Sequence, residues 1–412
     1  MVPQFIQLAY KGTTVEVPAV LMRGGTSKGL FFHSADLPDD PDLRDRFILH
    51  AYGSPDPSGR QVDGVGGATS TTSKVAVISD GRHAGVDVLY EFGQGVSVDQ
   101  PLIDRRGSCG NMSSAVGPFA VDEGLVTATD PVTTVRVLNV NTSKVIVAHV
   151  PTRNGRFCPV GDFAVPGVPG TGARIELEYL DPGGSVTGSL LPTGSLIDEL
   201  DVSGVGKVEV SIVDAANPLL FVRWEALGRT GQESADDIDS DVDLLSRIEA
   251  VRACAAVAAG IASSPEEASA QTPSVPKFAL VGRPRDYRLS QGELQFGSQT
   301  TVRASMMSMG RLHRTYALTG GICTAVAAAI PGTIVSEVAG GPRATCRIGH
   351  PAGVLPMTAD VQRRGDTWDV ASVSGYRTAR RLMAGIVEVP DEQFSGTCSS
   401  DRRRTSETAD PA

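Results

Sequence analysis

No part of this 412-residue chain approaches the uninterrupted apolar run of about 18 residues that a membrane-spanning helix needs, so no membrane partner is expected. Met1 to Gly12 lacks a basic start followed by an apolar stretch, and no secretory leader is expected there. The six cysteines show no CxxC spacing, which disfavours a zinc site or a disulfide framework and fits reduced thiols in the cytoplasm. The six histidines are dispersed without HExxH or other ligand spacing, so no metal is expected. Basic residues are outnumbered, 37 Lys and Arg against 47 Asp and Glu, and the net charge of −10 argues against nucleic acid as a partner. An acidic protein still tolerates a locally positive pocket for an anion. Walker A, GxGxxG and GxSxG signatures are missing, so no nucleotide, dinucleotide or acyl-hydrolase chemistry is indicated.

What is present is abundant glycine and proline, 46 and 26 residues, in a chain too long for one ordinary core. Val17 to Met22, a Gly-rich turn and Leu30 to Phe32 read as strand, turn, strand. Leu43 to Tyr52 reads as a short helix, and Ser73 to Ser79 and Gly85 to Glu91 as strands. Asn111 to Val121 reads as a helix that Pro118 should kink or shorten. Strand-like alternation follows through Val132 to Tyr179 and again at Val208 to Trp224. Asp241 to Ala262 carries an acidic start and apolar residues at helical spacing, and Ser263 to Pro276 reads as a linker or surface loop. Lys277 to Val281 and Thr301 to Met309 read as strands, then Leu318 to Ile330 as an Ala-rich helix. The polar segment from Gly396 to Ala412 is expected to be disordered. Two similar halves, each presenting one glycine-led helix start to a shared cleft, account for this order.

The chemistry concentrates in three segments. Cys109 lies in Gly107-Ser-Cys-Gly-Asn-Met112 at an expected helix start, where unpaired N–H groups and the positive dipole end favour a thiolate. Glycine on both sides costs stability unless backbone must approach something closely. The other cysteines read as small core residues, with Cys323 a further candidate because the pattern Leu318-Thr-Gly-Gly-Ile-Cys323 also puts it near an expected helix start. Lys74 ends the hydroxyl-rich loop Gly66-Gly-Ala-Thr-Ser-Thr-Thr-Ser-Lys74 and precedes an apolar strand. It is either an ordinary solvated strand end or a desolvated amine able to act as a base. Arg23-Gly-Gly-Thr-Ser-Lys-Gly29 reads as an anion-binding turn, with a tight hairpin bearing solvated charges as the bland reading. His313, in Gly310-Arg-Leu-His-Arg314, is a candidate carboxylate contact.

At these residues the chain resembles the PrpF family. Pro18 to Gly29, Gly66 to Lys74 and Cys109 to Ser114 carry the closest likeness, extended by Gly167 to Gly172, Leu191 to Gly194, Val213 to Pro218 and Arg377 to Leu382. The resemblance covers roughly residues 15 to 390. It implies an α+β, diaminopimelate epimerase-like fold: two pseudo-symmetric domains, each a curved, mostly antiparallel sheet around a central helix. The expected division is 1–190, closed by a returning segment at about 383–396, then 191–382, with 397–412 as a tail. The implied activity is cofactor-independent isomerisation of an unsaturated tricarboxylate such as 2-methylaconitate or aconitate. Lys74 and Cys109 match the family's catalytic lysine and cysteine. Arg23, Thr26, Ser27, Ser73, Gly110 and Asn111 are expected at the substrate, as are Met112, Ser113, Lys277, Arg311, His313 and Gly321. Epimerase relatives place another thiol in the second half. Cys323 is the candidate, although its flanks lack Cys-Gly-Asn or Cys-Gly-Ser. A small di- or tricarboxylate is the expected partner, with a homodimer as the candidate assembly. Keto–enol tautomerisation of 4-oxalomesaconate, or a non-catalytic accessory role beside an aconitase-like dehydratase, are the alternatives.

Overall fold

The computed structural model describes residues 9–11, 13–95, 102–105, 107–308 and 310–391. The expected tail at 397–412, Cys398 and most of Met1 to Gly12 lie outside the described residues. Two antiparallel strands, β1 (Thr14–Gly24) and β2 (Ser27–His33), form a hairpin whose turn is Gly25-Thr26. Helix α1 (Pro41–Tyr52) follows, started by the Asp40 side chain, which accepts from the N–H groups of Asp42 and Leu43. Strand β3 (Lys74–Asp80) lies parallel to β2 and antiparallel to β4 (Val88–Gly95). Helix α2 (Gly110–Asp122) then leads to β5 (Val132–Asn139), parallel to β4, and to β6 (Lys144–Arg153), antiparallel to β5. Strand β7 (Ile175–Leu180) pairs with β6.

The same pairing order then recurs. β8 (Gly206–Ala215) and β9 (Asn217–Arg223) form a hairpin around Ala216, a non-glycine residue held at φ 60°. An excursion through α3 (Val242–Ala258) and α4 (Pro265–Gln271) leads to β10 (Lys277–Gly282), parallel to β9. β11 (Val302–Ser308) runs antiparallel to β10, and α5 (Leu318–Ala329) precedes β12 (Thr345–His350), parallel to β11. β13 (Gly353–Arg364) and β14 (Thr367–Arg377) continue antiparallel. β14 also pairs with β7, and β15 (Ala379–Pro390) returns to pair with β1. The fold is the expected one: two repeats of one strand order, each wrapped around a helix. α2 is packed by β1 to β6 and β15, and α5 by β8, β9 and β12 to β14.

These two helices are not amphipathic, because sheet covers them on all sides. Every α2 residue from Gly110 to Val121 is buried, as is every α5 residue from Leu318 to Ala328. Pro118 neither shortens nor ends α2, which runs on to Asp122. Packing on all sides outweighs the one backbone bond that a proline removes. The expected linker at Ser263 to Pro276 instead contains α4, capped by Ser264. This segment is pinned from below: buried Arg252 on α3 donates to the carbonyls of Ala268, Thr272 and Val275 at 3.1–3.2 Å. Helix α3 stops at Ala258, short of the expected Ala262. Cys346 is buried as a core residue, whereas Cys158 and Cys254 are only partly covered.

Candidate active site

Helices α2 and α5 meet at their N-terminal ends, and a cleft of about 520 Å³, open solvent at its mouth included, lies between them. Cys109 is the residue before α2, and Ala317 the residue before α5. The first backbone bonds of the two helices are Ser113 N–H to Cys109 C=O and Gly321 N–H to Ala317 C=O, both 2.9 Å. The N–H groups of Gly110, Asn111 and Met112, and of Leu318, Thr319 and Gly320, therefore precede any intrahelical partner. Both helix ends bring positive potential to one cleft.

The first repeat supplies Ser27, Ser70, Lys74, Phe92, Gln94, Asp104, Cys109 and Asn111 to the lining. The second repeat and its excursion supply Ser274, Lys277, His313, Ala317 and Thr319. Lys74 is buried at the start of β3, its ammonium donating to Gln94 Oε1 at 2.5 Å and standing 5.1 Å from the Phe92 ring centre. Burial pushes its pKa below the ordinary lysine value, against an opposing pull from Cys109, which lines the same cleft. Lys277 is pushed down to about 8 by burial and by the charge of Lys74. His313 is pushed down to about 4, by burial first and then by Lys74, so its imidazole is neutral near pH 7. Asp104 is buried and accepts a hydrogen bond from Ser274 Oγ.

Asn111 is fixed from both sides. Its Nδ2 donates to Thr26 Oγ1 at 3.0 Å, and its Oδ1 accepts from Arg377 Nε at 3.0 Å. Arg377 is buried behind it, its pKa lowered to about 10 by burial, and remains a cation at neutral pH. Thr319 Oγ1 is buried in the cleft wall with no hydrogen-bond partner among the described residues. A buried hydroxyl left open at a cleft is a place for a ligand oxygen.

Several expected contacts are placed elsewhere. The Arg23 guanidinium folds back on its own hairpin, donating to Gly25 C=O at 2.8 Å and Thr378 C=O at 3.0 Å, outside the cleft. The Arg23 to Gly29 segment is thus the tight hairpin of the bland reading, and only Ser27 lines the cleft. Thr26 braces Asn111 and touches Thr315 Oγ1 at 3.2 Å. Ser73 turns away to Gln61 Oε1 at 2.5 Å, holding the loop. Gly110 is the helix-to-helix contact: a Cβ there would lie 2.8 Å from Leu318 Cβ and 2.9 Å from the Tyr179 hydroxyl. Met112 packs in the core, and Ser113 Oγ donates to Cys109 C=O at 3.0 Å. Arg311 is exposed outside the cleft, and Gly321 packs against Leu355.

Cys323 is the main correction. It lies one and a half turns inside α5, fully buried, donating to Val213 C=O at 3.1 Å, and burial pushes its thiol pKa up. The position that corresponds to Cys109 is Ala317. The expectation placed the helix start too late because Leu318-Thr-Gly-Gly carries glycines that belong inside the helix, where Met306 of β11 and Leu355 of β13 approach closely. Gln94, Asp104 and Ser274 went unread, since each reaches the cleft from a segment without a local signature, and Thr319 was passed over because its glycine-led segment was read for Cys323.

The family described as PrpF protein matches residues 14–390. The chain is 44% identical to the 3-methylitaconate isomerase of Eubacterium barkeri, over 91% of this chain and 97% of that protein. It is 40% identical to the 2-methyl-aconitate isomerase of Cupriavidus necator, over 92% and 98%. It is also 40% identical to the (4E)-oxalomesaconate Delta-isomerase of Novosphingobium sp. strain KA1, over 90% and 97%. The crystal structure of a methylitaconate-delta-isomerase superposes with a TM-score of 0.76 at 42% identity, covering 95% of this chain and 100% of that one. A hydroxyproline epimerase from Agrobacterium vitis shares the fold alone, with a TM-score of 0.51 at 12% identity, covering 94% and 96%.

Proposed function

This chain belongs to the PrpF family, and on that premise we propose that it is a cofactor-independent isomerase, moving a proton and with it a double bond in an unsaturated di- or tricarboxylate of the aconitate or methylitaconate kind. The observation that carries the reading is that Lys74 and Cys109 line one cleft capped by two helix N-termini, where the cysteine raises the proton affinity that burial lowers. Lys277 and Arg377 bring positive charge to this region, where Asp104 is the one carboxylate among the described lining residues, a balance that suits a substrate with several carboxylates.

A C–H bond next to both a C=C bond and a carboxylate is weakly acidic. Its removal gives a dienolate whose charge spreads onto carboxylate oxygens. Burial favours the neutral Lys74 amine that accepts this proton. The open N–H groups at the starts of α2 and α5 stabilise the developing oxyanion, at about 3–4 kcal/mol for one such donor in other enzymes. Rotation in the delocalised intermediate exchanges cis and trans, and return of a proton to another carbon shifts the double bond. Thr319 Oγ1, Ser27 and Asn111 are placed to hold carboxylate oxygens that take no part in the reaction.

The test is incubation with cis-aconitate, trans-aconitate, 2-methylaconitate, methylitaconate and 4-oxalomesaconate in deuterated water, followed by NMR. Deuterium is expected at a substrate carbon as the isomer forms. Lys74→Ala abolishes turnover with an unchanged circular dichroism spectrum, and Cys109→Ser lowers it at least about a hundredfold. Near-normal turnover of a folded Lys74→Ala variant removes Lys74 as the base. Absence of reaction with every acid in the panel removes the isomerase reading.

A further inference from the structure

The strand register assigns Lys74 a counterpart. In the first repeat Lys74 opens β3 and pairs with Gly29 of β2 in parallel. In the second repeat Lys277 opens β10 and pairs with Leu219 of β9 in parallel. Each partner is the third residue of its strand after the hairpin turn. The helix starts correspond as well, Cys109 with Ala317 and Asn111 with Thr319. The duplication has therefore kept an amine in both halves and a thiol in only one.

Lys74 and Cys109 both belong to the first repeat and line the same cleft, so both act from that wall. A proton that must reach another carbon, or the other face, needs a donor from the second repeat. The titratable groups it contributes to the lining are Lys277 and His313. His313 is a weak candidate: its pKa of about 4 leaves almost no imidazolium near neutrality. Lys277 faces Lys74, Cys109 and Asp104 electrically, and its backbone neighbour Ser274 C=O accepts from Nζ at 3.3 Å. At about 8, its pKa lets it both give and take a proton near neutral pH.

Resting on the isomerase reading above, we propose that Lys277 Nζ is the second proton-transfer group, working across the cleft from Lys74 and Cys109. Neutral Lys74 takes the substrate proton, and the electron pair of the broken C–H bond enters the dienolate. The Lys277 ammonium then gives its proton to the second carbon, forming the new C–H bond and leaving a neutral amine. Lys74 is left as ammonium, and exchange with water, or turnover in the reverse direction, restores the starting charges.

The experiment follows deuterium wash-in from each side of the reaction. With Lys277→Gln, isomerisation falls at least a hundredfold while wash-in at the acidic carbon of the substrate stays within about tenfold of the wild-type rate. The same variant started from the product isomer shows no wash-in, and Lys74→Gln gives the mirror result. Lys277→Arg keeps a cation without a transferable proton near neutrality, so KM is held and kcat is not recovered. Recovery of kcat in Lys277→Arg overturns the proposal and leaves Lys277 as a carboxylate contact. Isomerisation by Lys277→Gln within tenfold of wild type, or equal loss of wash-in from both sides, overturns it too. Wild-type protein that exchanges no proton with any acid sinks the isomerase reading itself, a result distinct from these.

Discussion

A buried lysine and a buried cysteine line one cleft here, and the sulfur changes what the amine can do. Burial lowers the proton affinity of Lys74, while the sulfur beside it pulls the other way. Among the described residues the second repeat has no such pair, since alanine stands at its helix start. The cysteine nearby, Cys323, is a core residue whose raised pKa disfavours the thiolate. Cys323→Ala is therefore expected to leave turnover within twofold of wild type and to cost about 1 kcal/mol of stability, read by urea unfolding. A hundredfold loss of turnover in that variant would return Cys323 to the chemistry.

Among the elements, the tightest constraint is the seam between β2 and β3. A Cβ on Gly29 would lie 2.1 Å from the Lys74 carbonyl oxygen and 2.8 Å from Met112 Cε, so any side chain must push β3 away. The same carbonyl accepts from the Tyr52 hydroxyl, which in turn accepts from Leu30 N–H at 3.0 Å, locking α1 to the seam. Gly29→Ala is expected to cost about 2–3 kcal/mol and to lower kcat by displacing Lys74 from Cys109. Denaturant unfolding and steady-state kinetics on one preparation check both effects, and wild-type values for the two show the seam to be slack. The opposite wall of the cleft depends on Arg252, whose donations to three carbonyls carry Ser274 and Lys277 into place. That support joins α3 to a segment whose Ser, Pro and Ala content reads as loose linker.

For the whole molecule, the buried histidines make stability depend on acid. His313 has a folded pKa of about 4 against an ordinary value of 6.5, and His350 is also held well below the ordinary value, burial being the leading cause for both. Between those pH values the unfolded chain takes up protons that the folded chain refuses. Stability is thus fully present above about pH 6.5 and is lost as pH falls toward 4, with about 3 kcal/mol from His313 alone. Urea midpoints at pH 7.5 and pH 5 are expected to differ in that direction, and His313→Gln to narrow the gap. Equal midpoints at the two values would contradict the neutral buried imidazoles. Much of this architecture was readable from the chain alone, because its signals are local. Glycines flanking Cys109 marked a helix start, Lys74 before Val75-Ala-Val-Ile78 marked a strand edge, and the recurrence of these patterns announced two halves. Which side chains meet in the cleft was settled only on folding. The retreat of Arg23 to Thr378, the burial of Cys323 against Val213 and the placing of Lys277 opposite Lys74 each depend on strand register across hundreds of residues. Register is set by packing between distant segments, and no local spacing encodes it.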